Sequence, residues 1–80
     1  MRDTVATLVE YITRTFVPGG DVDIDADTNL LEEEIVDSVG IHEMVEFIEV
    51  TFDVLIDADD VNLDNFETVA SIARMVDAKA

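Results

Sequence analysis

The chain has 80 residues, 49% of them hydrophobic, which suffices for one modest core and leaves no room for a second, so residues 1–80 are expected to form a single domain. Four Lys and Arg against twenty Asp and Glu give a formal charge of −16, a surface that repels nucleic-acid phosphates and anionic membranes and suits partners with basic patches. The absence of cysteine excludes a disulfide framework and a thiolate metal site, and the start MRDTVATLVEYITR has neither a long apolar run nor a basic leader, so a cytoplasmic protein, and a monomer, is expected.

The apolar residues repeat with helical spacing. Val5, Leu8, Val9, Ile12 and Phe16 make one stripe, with Asp3 or Thr4 available as its N-cap and Pro18, Gly19 and Gly20 to end it. A second stripe, Ile41, Met44, Val45, Ile48 and Phe52, opens after Asp37 and Ser38, either of which can cap it. DADDVNLDNF is rich in turn formers and supports only a short helical piece. Val69, Ile72, Ala73 and Val76 then mark a last helix beginning near Thr68. VDIDAD alternates, but its outer positions are all Asp, which strands disfavour. The expected fold is all-α: a small four-helix bundle of three main helices and a short third one, with a long loop over residues 18–36 between the first two.

That loop contains DVDIDADTNLLE, which laid on a twelve-residue EF-hand places Asp21, Asp23, Asp25, Asn29 and Glu32 at ligand positions and offers the carbonyl of Asp27 at the seventh. Three features weaken a calcium reading. Pro18, Gly19 and Gly20 break the incoming helix, Ala26 stands where a glycine is usual, and Thr28 where an apolar residue is usual. Weak divalent-cation binding that relieves carboxylate crowding fits the loop better than a calcium switch.

After the loop, NLLEEEIVDSVGIHEMVEFIEVTF supplies Leu30, Leu31 and Ile35 and then sets Ser38, preceded by an acid, at the start of an acidic helix. The tetrad Val36, Asp37, Ser38, Val39 resembles the signature of the acyl and peptidyl carrier proteins, an aliphatic residue, Asp, Ser and an aliphatic residue opening the second helix. Asp27, Thr28 and Leu30 resemble the family's D-T-x-L element, Phe52 and Ile56 its E-x-x-F-x-x-x-I run, and FETVASIARMV its last helix, so the likeness covers nearly the whole chain. The resemblance implies that Ser38 receives 4′-phosphopantetheine from coenzyme A through a phosphopantetheinyl transferase, and that the arm's thiol holds a thioester for partner enzymes. A serine at a helix N-terminus suits this role, because free N–H groups and the helix dipole favour the phosphate it acquires.

Around Ser38 the second helix reads as a docking face. Glu43, Glu46 and Glu49 lie away from the apolar stripe on the side of Ser38, and with Asp37, Val39 and His42 they form the candidate partner-docking set. Gly40, His42 and Glu46 depart from the fatty-acid carriers. Asp-Ser-aliphatic-Gly looks more like stand-alone aminoacyl carriers, the D-alanyl group among them, which are loaded by an adenylating ligase and pass cargo to acyl-accepting enzymes; a fatty-acid or polyketide carrier is the alternative within the family. Gly40 is expected to leave backbone exposed near the arm. His42 one turn after Ser38, with Asp37 adjacent, holds the ingredients of a nucleophilic triad, but neighbouring Asp and Ser do not place the acid behind the imidazole.

Overall fold

The structure is a computed structural model and describes residues 3–20 and 23–79. Helix α1 spans Thr4–Phe16, α2 Ser38–Phe52, a single 3-10 turn Ala58–Asp60, α3 Leu63–Phe66 and α4 Val69–Lys79. Among the described residues there is no strand, so the chain is the all-α bundle its periodicity predicts, with three main helices and a four-residue third.

Each helix begins where its sequence offers an oxygen to the free N–H groups of the first turn. Asp3 accepts from the Ala6 N–H at 3.0 Å, and α1 stops at Phe16, just ahead of the Pro18 and Gly19 turn. Asn62 accepts from the Asn65 N–H at 2.9 Å to open α3. Thr68 and Ser71 cap α4 reciprocally, the Ser71 N–H donating to Thr68 Oγ1 at 3.1 Å and the Thr68 N–H to Ser71 Oγ at 3.0 Å. Serine here takes the place that Glu or Gln fills in the usual capping box.

The apolar stripes meet in one core. Leu8 and Ile12 of α1, Met44 and Ile48 of α2, Phe66 of α3, and Val69, Ile72 and Val76 of α4 are buried, joined by Leu30 and Val36 from the long loop. Both α1 and α3 pack against α4. Thr4 Oγ1, itself buried, donates to Asp77 Oδ1 at 2.8 Å and ties the start of α1 to the end of α4. On the other side of α1, the ring of Tyr11 stacks on Phe47 of α2 with centroids 3.8 Å apart.

The long loop is pinned to the top of α4 by its backbone. The Leu30 N–H donates to the Glu67 carbonyl at 2.8 Å, and the Ala70 N–H to the Ala26 carbonyl at 2.9 Å. Asn29 adds side-chain bonds on both sides, accepting from the Glu32 N–H at 2.8 Å and donating to Glu67 Oε1 at 3.0 Å. Beyond Asn29 the loop makes one helical turn closed by a Schellman motif: the Ile35 N–H bonds the Leu30 carbonyl at 2.9 Å and the Glu34 N–H the Leu31 carbonyl at 3.2 Å. Glu34 occupies the left-handed position of that motif, with φ 58°. Glycine is usual there, and a side chain at such a φ costs on the order of 1 kcal/mol.

This geometry is not that of an EF-hand. Asp21 lies outside the described residues, but Asp25 spends its carboxylate on the Asp27 N–H at 2.9 Å and the Thr28 hydroxyl at 3.1 Å. The exit helix of a calcium loop would occupy residues 30–36, which are turns here, and α2 opens only at Ser38. Among the described residues no group of three or more His, Cys, Asp or Glu is arranged to hold a metal ion.

Candidate functional site

The cap of α2 is Asp37. Its Oδ1 accepts from the Gly40 N–H at 2.8 Å, and its carbonyl accepts from the Ile41 N–H at 2.8 Å. Ser38 is therefore the first helical residue, and it is exposed. Either residue could cap on sequence alone; the structure gives the task to the carboxylate and leaves the hydroxyl outward at the positive end of the helix.

Ser38 stands at the mouth of an open groove of about 690 Å³ between the end of the long loop and α3. Leu31, Val36 and Ile41 supply one apolar wall and Val61 and Leu63 the other, while Glu34 adds a carboxylate beside Asp37 and Ser38. Leu63 is 73% exposed and Val61 41%, so the second wall consists of apolar groups held against water with no protein cover. Neither residue stands out in the sequence; the one signal is a pair of aliphatic side chains two apart in the acidic DADDVNLDNF.

The docking set distributes unevenly. Asp37, Val39, His42, Glu43 and Glu46 are exposed, Val39 to 68%. Glu49 is half-buried and turns its carboxylate to the Ile56 N–H at 3.0 Å, closing the corner after α2. Glu43 and Glu46 lie within electrostatic reach of Tyr11 on α1. Burial and then the Glu43 carboxylate, with Glu46 behind it, raise the Tyr11 phenol above its ordinary pKa, against a lowering hydrogen bond from Thr15. Tyr11, which helical periodicity alone does not single out, is thus an α1 side chain that feels the acidic face of α2.

Gly40 corrects an expectation. Its backbone is buried, not exposed: a Cβ at this position would sit 2.9 Å from Phe16 Cε1 and 3.0 Å from Val36 Cγ1. Glycine is needed for α1 and the loop to close against the first turn of α2, and the arm or a partner is not required to explain it. The triad ingredients do not assemble, because the Asp37 carboxylate caps the helix and His42 is exposed on its surface.

No family model matches the chain. A curated relative described as probable acyl carrier protein PigG, from Serratia sp. (strain ATCC 39006), is 33% identical over 69 residues, covering 86% of this chain and 79% of the relative. A chain in the crystal structure of an FAD-dependent dehydrogenase superposes with a TM-score of 0.81 at 28% identity, covering 88% of this chain and 99% of that one. The chain belongs to the acyl carrier protein family. It is a carrier and not a catalyst, and it works through the enzymes to which it presents its load.

Proposed function

We propose that Ser38 is the attachment point of 4′-phosphopantetheine and that the arm carries a small amino acid or similar polar acid as a thioester. The observation that carries this is the division of labour at the start of α2: Asp37 caps the helix, so the Ser38 hydroxyl is exposed and outward at the groove. A phosphopantetheinyl transferase would join Ser38 Oγ to the β-phosphorus of coenzyme A, breaking the pyrophosphate bond and releasing the nucleoside bisphosphate, with the hydroxyl proton passing to the transferase. The residues fit the product. The new phosphodiester would lie at the positive end of α2, with the apolar groove walls open beside it. When bound, the arm supplies the thiol that a cysteine-free chain lacks.

An ATP-dependent adenylating ligase is the proposed loading enzyme, and acyl-accepting enzymes with basic patches the recipients, in the cytoplasm. Asp37, Val39, His42, Glu43 and Glu46 form the docking face, with Glu49 at its structural margin. The polar residues His42 and Glu46 support a dedicated ligase over fatty-acid machinery. The likeness to a chain in the crystal structure of an FAD-dependent dehydrogenase makes a flavin-dependent oxidising enzyme one recipient to assay.

Coenzyme A and a broad-specificity phosphopantetheinyl transferase should add one arm to the protein, read as a mass gain, while Ser38→Ala stays folded and unmodified. An unchanged wild-type mass, under conditions that convert a control carrier, rejects the assignment. Loading of holo protein then decides the cargo: malonyl transfer with no aminoacyl loading by any candidate ligase makes it a fatty-acid or polyketide carrier.

A further inference from the structure

Glu34 holds the left-handed position of a Schellman turn, where glycine would be unstrained, and its side chain joins the wall of the groove that opens at Ser38. With twenty acidic residues in the chain, bulk electrostatics gives no reason to set one of those carboxylates on a strained backbone. Apart from Ser38 itself, the other polar side chains of the groove are committed: Asp37 caps α2, and Asn62 caps α3 and donates to the Asp59 carbonyl. Among them Glu34 is the exposed acceptor whose position is bought with backbone strain.

We infer that Glu34 is a recognition residue for the group borne on Ser38, accepting a hydrogen bond from an N–H donor as that group lies in the groove. The occupant is fixed by its tether, because Ser38 itself lines the groove. The arm brings such donors in its two amides, and an aminoacyl cargo brings a third in its ammonium, to which a carboxylate bonds more strongly than to a neutral amide. Leu31, Val61 and Leu63 then cover the arm's methyl and methylene groups, which removes apolar surface from water on both sides. The inference rests on the phosphopantetheine reading of Ser38.

The test uses the full chain as wild type, Glu34→Gly and Glu34→Gln, each converted to holo protein with the mass gain verified first. Apo Glu34→Gly should melt no lower than wild type, and a few degrees higher if the strain is relieved in full. Conversion or aminoacyl loading of the wild type should shift the methyl resonances of Leu31, Val61 and Leu63, and those shifts should fall at least two-fold in Glu34→Gly. Glu34→Gln, which keeps a neutral acceptor, should retain a response to the arm amides and lose one to the ammonium. Acetyl-holo and aminoacyl-holo samples separate the donors: a response common to holo, acetyl and aminoacyl forms assigns the arm amides, and one confined to the aminoacyl form assigns the ammonium. A verified mass gain with no methyl shifts in the holo, acetyl or aminoacyl form, or with equal shifts in wild type and Glu34→Gly, overturns the role of Glu34 and leaves Ser38 intact as the attachment site. A missing mass gain in the wild type overturns both.

Discussion

The ring of Phe16, at the last residue of α1, lies 2.9 Å from the point where a Cβ on Gly40 would stand, with Val36 at 3.0 Å on a second side. The position of Ser38 is thus set by three segments that converge on one glycine, two residues along α2. Gly40→Ala tests that convergence. Alanine gains about 1 kcal/mol of helix propensity, but overpacking a closed contact costs about 1–3 kcal/mol, and the box around Gly40 makes the second effect the larger. The variant should lose on the order of 1 kcal/mol in urea denaturation, and the loss should disappear when Phe16→Leu opens the contact. Equal penalties in both backgrounds would disconnect Gly40 from Phe16.

Asn29 joins the loop to the junction between α3 and α4 by capping Glu32 and reaching Glu67. Asn29→Ala should cost about 1 kcal/mol, the usual worth of a capping side chain. Amide exchange should rise first at Leu30 and Ala70, whose N–H groups make the backbone anchors on either side. Uniform acceleration across all four helices would indicate global destabilisation instead.

Asp60 and Lys79 pair at 2.7 Å, between the 3-10 turn and the end of α4. The hydrogen bond from Lys79 holds the Asp60 carboxyl below its ordinary pKa, and the same bond raises Lys79. The contribution from Asp60 is therefore complete above the unfolded value of about 3.9 and fades as pH falls through the lower folded value. That from Lys79 is complete below about 10.4 and fades as pH rises through its raised folded value. The melting difference between wild type and Asp60→Asn should be flat from about pH 5 to about pH 9 and narrow on acidification. A difference that widens in acid contradicts the pairing.

Carboxylate crowding at a charge of −16 opposes the compact state, so moderate salt or millimolar divalent cations should raise the melting temperature. Magnesium should serve nearly as well as calcium. A tight calcium-selective shift, abolished by Asp21→Ala and Glu32→Ala, would reopen the question of a cation site in the loop.

Periodicity makes the helices legible because each apolar stripe faces the core it helps to build, and the position of Ser38 is given by the tetrad before α2. Residues whose roles depend on distant neighbours are not legible in that way. Gly40 reads as a weak point of α2 because Phe16, the side chain that requires it, belongs to another helix. Glu34 is one of three consecutive glutamates, and only the backbone angle sets it apart from Glu32 and Glu33. Glu49 shares a helical face with Glu43 and Glu46, but the chain reversal after Phe52 brings Ile56 back to it.

The two walls of the groove differ in stiffness. On the loop side Leu31 is next to Leu30, whose amide is bonded to the Glu67 carbonyl and whose side chain is 1% exposed, so that wall moves only if the core is disturbed. On the other side Leu63 opens a helix of four residues in which Phe66 alone is buried. Besides Phe66, α3 is held by the Ser71 hydroxyl, which donates to the Asn65 carbonyl at 2.9 Å, and by the Asn65 side-chain amide, which donates to the Asp60 carbonyl at 2.8 Å. The energy scale for displacing this wall is then that of one short helix with one buried side chain and a few hydrogen bonds, below that of disrupting the core on the loop side. The width of the groove is accordingly a local property of its α3 side, and exchanging Leu63, exposed and outside the core, for a smaller or larger aliphatic residue is the direct way to change it.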